Sequence, residues 1–154
     1  MILYRIVNCH YADDLSGAGA RLYGGRWNSE GKPMLYLASS RALAVLEVLV
    51  HLSPLIIPEN FCLTEIEVPD NSITLLDTSL LPHNWQDVSG PVVLREMGDA
   101  FLKKQGHLLM KVPSAVVPAE YNYVLNPLYP EAKNIKIINK EPFNFDERLI
   151  YEHN

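Results

Sequence analysis

Apolar and aromatic side chains alternate loosely over residues 2–7, ILYRIV, the period of a strand, with Arg5 set among them. Residues 8–25 break that pattern with serine, aspartate, asparagine and glycine and read as a long loop. A turn over SEGKP leads into MLYLA, residues 34–38, a second strand in which Leu35 and Leu37 point one way and Tyr36 the other. Residues 41–52 are dense in helix formers; Ser39 or Ser40 can cap that helix and Pro54 stops it. FCLTEIEV, residues 61–68, alternates at period two, and Pro69-Asp70-Asn71 turns the chain into SITLLD, so the two runs are expected to pair as an antiparallel hairpin. Residues 80–89 carry no clear period. From Pro91 onward Val93, Leu94, Met97 and Phe101 form a one-sided helical stripe that ends at Gly106. HLLMKVP is a further strand, residues 114–130 are punctuated by proline and asparagine, and IKIIN with EPFNF supplies closing strands. Strands outnumber helices and are not separated by regular crossover helices, so the expected class is α+β: one domain over residues 1–154, with helices packed on mixed or antiparallel sheets.

Composition narrows the possible functions. The chain has 154 residues, of which 48% are hydrophobic, enough for a real core. A formal net charge of -5 repels polyanions and argues against nucleic acid as a direct ligand. LAVLEVLVHL, interrupted by Glu47, is too short to span a bilayer, and no membrane association is expected. Cys9 and Cys62 lack metal-ligand spacing, the five histidines are scattered, and the N-terminus does not resemble a signal peptide. The expectation is a cytoplasmic protein without a metal.

Glu47 is the most informative position. Its helical neighbours include Leu43, Ala44, Val48 and Val50, so the helix is apolar almost all round and the carboxylate should be buried. An unpartnered buried carboxylate is costly, so Glu47 either pairs with Arg5 or Arg26 or faces a ligand-filled cleft. The glycines of residues 17–25 fit neither the dinucleotide fingerprint nor a Walker A loop, because no strand feeds them into a capped helix. They still allow close backbone approach, and Arg21 and Arg26 offer forks for phosphate, unless they are simply solvated. Tyr36, one short turn before the Glu47 helix, can share a cleft with it. Ser114 ends an apolar strand, where a turn or cap role competes with a ligand role, and no Gly-x-Ser-x-Gly elbow surrounds it.

Taken together, YRIV, GGRWNSEG, YLASSRALAVLEVLVHL, VPSAVVPAEYNYVLNP and FDERL resemble the RES domain, the toxin of RES/Xre toxin–antitoxin pairs, over nearly the whole chain. The constellation of GGRWN, a tyrosine ten residues after its arginine and a glutamate eleven further is specific. Tyr129 stands in NPLYP where many members of the family place a histidine, and no role is carried to it. The resemblance implies a compact fold similar to ADP-ribosyltransferase toxins and an activity on NAD as substrate: phosphorolysis, hydrolysis or transfer of ADP-ribose to a protein. On that basis Glu47, Arg26 and Tyr36 would be catalytic, while Arg5, Arg26, Tyr36, Ser114 and Asn122 would bind NAD. It also implies an Xre-type antitoxin with a helix-turn-helix DNA-binding domain as partner. A homo-oligomer within that complex is compatible with an interface at LSPLIIP, residues 52–58. The competing reading is a module that binds a nucleotide or a partner without chemistry.

Overall fold

The computed structural model describes residues 1–53, 55 and 58–150. Pro54, the expected helix stop, and Ile56 and Ile57 of the suggested interface lie outside the described residues. Seven strands form one mixed sheet: β1 (Ile2–Asn8), β2 (Leu35–Ala38), β3 (Phe61–Glu67), β4 (Ile73–Leu75), β5 (Leu109–Pro113), β6 (Tyr121–Leu125) and β7 (Lys136–Phe143), in the order β4-β5-β6-β2-β1-β3-β7. The helices are α1 (Ala18–Tyr23), α2 (Arg41–Leu49), α3 (Val92–Lys104) and α4 (Glu147–Ile150). The α+β class stands as expected.

Two expectations about individual elements are corrected. The strand at residues 73–75 does not form a hairpin with β3. Both edges of β3 are occupied, by β1 and β7, and β4 instead pairs in parallel with β5 at the far end of the sheet. Ser72 fixes that docking, its hydroxyl and carbonyl accepting from the Leu108 and Leu109 amides at 3.0 Å each. The stretch 8–25 is not all loop. A 3-10 turn covers Cys9–Tyr11, and α1 follows from Gly17, whose φ of 73° suits a residue without Cβ.

Alternation along the strands sorts the core into two faces. Leu3, Leu35, Leu37, Leu109 and Leu125 cluster on one side of the sheet. On the other, α2 packs Leu43 and Ala44 against Ile6 and Ala38, and α3 packs Leu94, Phe101 and Leu102 against Met110, Val112 and Val124. Tyr36 belongs to this second face, as its alternation with Leu35 and Leu37 requires. In the sheet Tyr36 stands opposite Val124 and Ala38 opposite Asn122, whereas β1 and β2 register through one pair, Tyr4 with Ala38. The space between α2 and α3 therefore lies over β2 and β6, near the place where β1 and β2 meet. Cys9 and Cys62, brought together because the end of β1 faces the start of β3, form a disulfide with Cα atoms 4.9 Å apart.

Candidate active site

A cleft of about 1450 Å³ is lined among others by Arg5, Arg26, Tyr36, Glu47 and Asn122. That exceeds the roughly 300–1000 Å³ of an ordinary small-molecule pocket and leaves room for an extended ligand.

Glu47 reaches the cleft from α2. Ser40 starts this helix, its hydroxyl accepting from the Leu43 amide at 3.1 Å. The helix is apolar in composition but not buried all round, since Leu46 and Val50 are 38% and 56% exposed. Glu47 itself is half-buried. Its Oε1 accepts from the Ser114 hydroxyl at 2.7 Å and from the Asn122 side-chain amide at 2.6 Å. No ion pair with Arg5 or Arg26 forms among the described residues; the sheet order brings β6 and the end of β5 to the carboxylate instead. With both bonds on Oε1, Oε2 has no hydrogen bond from the described residues and is left for whatever enters the cleft.

Ser114 is almost fully buried and does two things at once. Its hydroxyl accepts from the Val116 and Val117 amides at 3.1 and 3.0 Å, which closes the turn after β5, and donates its proton to Glu47. The cap role and the site role are therefore not alternatives. Asn122, on β6, gives one amide proton to Glu47, while its Oδ1 is buried without a partner among the described residues. An orphaned acceptor of this kind is costly and suits a ligand donor.

The Tyr36 hydroxyl is held by a network of its own. It donates to Asn28 Oδ1 at 2.6 Å and accepts from the Trp27 amide at 3.0 Å. Gly25 makes room for it: a Cβ there would lie 2.6 Å from the hydroxyl oxygen. Burial is the main cause that pushes the phenol well above its usual range, with the Trp27 bond opposing it. Asn28, fully buried, donates to the carbonyls of Ala20, Lys32 and Ser29 and so ties α1 and the following turn to Tyr36. Sequence reasoning assigned Asn28 no role, although it stands in the GGRWN motif; nothing in its spacing announces a buried amide.

Tyr36→Phe is expected to destabilise the protein by about 1–3 kcal/mol, because Asn28 Oδ1 and the Trp27 amide lose their partner. The phenol pKa is raised by folding, so its contribution is complete below the unfolded value of about 10 and declines as pH rises beyond it. Urea denaturation of the two proteins at a series of pH values should show the gap narrowing above about pH 10.

The cations are placed less simply than their residue types suggest. Arg5 lines the cleft and donates from Nη1 to the Asp14 carbonyl at 2.8 Å; burial lowers its pKa, and the charge of Asp14 opposes that. Arg26 also lines the cleft, yet its guanidinium donates to the carbonyls of Trp85 (2.8 Å), Asp87 (3.0 Å) and Val88 (3.4 Å). It fastens the aperiodic stretch before α3 to the cleft wall.

Residues 2–146 match the RES domain family. The chain belongs to the RES family. Over 152 residues this RES protein is 40% identical to the protein named Toxin Res of Photorhabdus laumondii, covering 97% of each chain. It is 43% identical over 142 residues to the Prs ADP-ribosylating toxin of a Sphingobium species, covering 90% of this chain and 88% of that one. The RES fold described above also superposes on a chain of the M. tuberculosis MbcT–MbcA toxin–antitoxin complex with a TM-score of 0.75 at 22% identity, over 93% of this chain and 84% of that chain. No described helix is long and apolar enough to cross a membrane.

Proposed function

We propose that this RES protein is the toxin of a toxin–antitoxin pair and that it cleaves the nicotinamide glycosidic bond of NAD. The observation that carries this reading is the Glu47 carboxylate, fixed through Oε1 by Ser114 and Asn122 with Oε2 left unengaged, in a cleft large enough for a dinucleotide. When the bond between ribose C1′ and the nicotinamide nitrogen breaks, its electron pair leaves with the ring and positive charge builds on the ribose. A pre-oriented carboxylate stabilises that charge and can accept a hydrogen bond from a ribose hydroxyl. Nicotinamide departs neutral, so no strong general acid is needed. Tyr36 would form one wall for the nicotinamide, with Arg5 and Arg26 on the phosphate side and the free Asn122 Oδ1 accepting from a ribose hydroxyl or the carboxamide. The oxocarbenium-like centre is then captured by water, by inorganic phosphate or by a protein side chain. The last acceptor is the alternative to the first two, and the name of the Sphingobium relative, an ADP-ribosylating toxin, speaks for keeping it.

The partner in this reading is an Xre-type antitoxin with a helix-turn-helix domain. An antitoxin partner is supported by the fold's likeness to a chain of a toxin–antitoxin complex and by the apolar rim of the cleft, where Tyr23, Val50 and Val88 are 82%, 56% and 96% exposed; its Xre type rests on the family resemblance alone.

Purified protein, freed of any bound partner, is expected to release nicotinamide from NAD. Chromatography of reactions run with and without phosphate should show ADP-ribose alone in the absence of phosphate and a phosphorylated ADP-ribose if phosphate is the acceptor. NAD recovered intact under both conditions, and with cell extract added as a source of protein acceptors, would overturn the activity.

A further inference from the structure

Three arginines line the cleft, Arg5, Arg26 and Arg95, and they differ in what their donors already hold. Arg5 donates to the Asp14 carbonyl and Arg26 to the carbonyls of the 85–88 stretch. Arg95 is half-buried, yet among the described residues it makes no hydrogen bond, ion pair or ring contact. Glu30 and Glu47 also line the cleft, and neither pairs with it. A guanidinium carries five N–H donors in a rigid fork, and one that no protein acceptor engages at the cleft wall is open to an anionic ligand.

The placement of Arg95 is built into α3. Three residues on, Gly98 is fully packed against the Trp27 backbone; four residues on, the Asp99 carboxylate accepts from the Ser29 amide at 3.0 Å and from its hydroxyl at 2.6 Å. Positions three and four apart share a helix face. The contacts that seat α3 on residues 27–29 therefore also set Arg95, one turn earlier, at the cleft beside the Arg26 segment. Arg95 follows the apolar VVL opening of the helix and stands beside Glu96, and its type points to this face only once Gly98 and Asp99 are known to be inward.

We propose that Arg95 is a phosphate-binding residue of this cleft, gripping the pyrophosphate of a nucleotide ligand, while Arg26 mainly holds the 85–88 backbone in place. The identity of the ligand rests on the NAD reading; the anion site does not.

Calorimetric titration of the full chain with ADP-ribose, inorganic pyrophosphate and adenosine separates the two. Arg95→Gln should weaken ADP-ribose and pyrophosphate about ten- to a hundredfold and leave adenosine unchanged, because adenosine has no phosphate. Arg95→Lys keeps the charge without the fork and should fall between, and it carries the test if the glutamine variant does not fold. With NAD turnover, the glutamine variant should raise KM more than it lowers kcat. Unchanged ADP-ribose affinity in both variants, or an equal loss of adenosine binding, would overturn the assignment of Arg95 even if nicotinamide is still released. Wild-type protein that binds ADP-ribose through Arg95 but leaves NAD intact would instead overturn the activity and keep the anion site.

Discussion

Glu47→Gln is expected to slow nicotinamide release about a hundred- to a thousandfold while leaving the fold intact. Both bonds that position the side chain go to Oε1, and the carbonyl oxygen of glutamine accepts from Ser114 and Asn122 as the carboxylate does. The substitution therefore removes the charge and little else; Oε2, where the amide nitrogen would stand, has no hydrogen bond to lose among the described residues. Loss of a single pre-oriented electrostatic group in an active site has an effect of this order on kcat. Alanine would be a poorer test, because it also strands the Ser114 hydroxyl and the Asn122 amide. The measurements are kcat from nicotinamide release and the urea midpoint of each protein. A glutamine variant with wild-type kcat would remove the carboxylate from the mechanism. One that loses its fold along with its activity would mean that the charge serves structure.

This prediction could be framed from sequence in part only. The spacing of Tyr36 and Glu47 around a capped helix was readable, because the strand period of MLYLA and the helical run after Ser40 are local signals. The partners of Glu47 were not. Ser114 and Asn122 lie 67 and 75 residues away and arrive through the order of strands in the sheet, so an ion pair with a nearby arginine remained an equal reading. The strand that carries Asn122 was itself obscured, since Pro118, Asn126 and Pro127 frame it with loop residues, and its pairing with β2 and β5 outweighs that local punctuation. The supposed hairpin failed for a related reason. A turn such as Pro69-Asp70-Asn71 reverses the chain but does not choose which strand edge the next run meets; both edges of β3 were taken. Short α1 was hidden by Gly17 and Gly19, which read as loop even where one caps and the other merely sits in a helical turn. Arginine chemistry was the least legible, because a guanidinium given to backbone carbonyls and one left open to the cleft have the same letter.

Gly98→Ala should be the most damaging small substitution in the fold. A Cβ built at this position overlaps the Trp27 carbonyl oxygen and lies 2.6 Å from its carbon, both backbone atoms that no side-chain rotation can move. Alanine gains about 1 kcal/mol of helix propensity over glycine, far less than a backbone overlap of this kind removes. Net destabilisation of about 2 kcal/mol or more is expected in urea denaturation. Gly19→Ala is the matched control: also helical, with nothing within 4 Å of the added methyl, it should be neutral or stabilise by up to about 1 kcal/mol. The functional consequence is separable from stability. If α3 lifts away from Trp27, the Asp99 bonds to Ser29 stretch and Arg95 leaves the cleft wall, so the alanine variant, at temperatures where it is still folded, should also bind ADP-ribose more weakly. An alanine variant with wild-type stability would mean that α3 does not rest on Trp27 through this glycine. In that case the positioning of Arg95 would depend on the Asp99–Ser29 bonds alone.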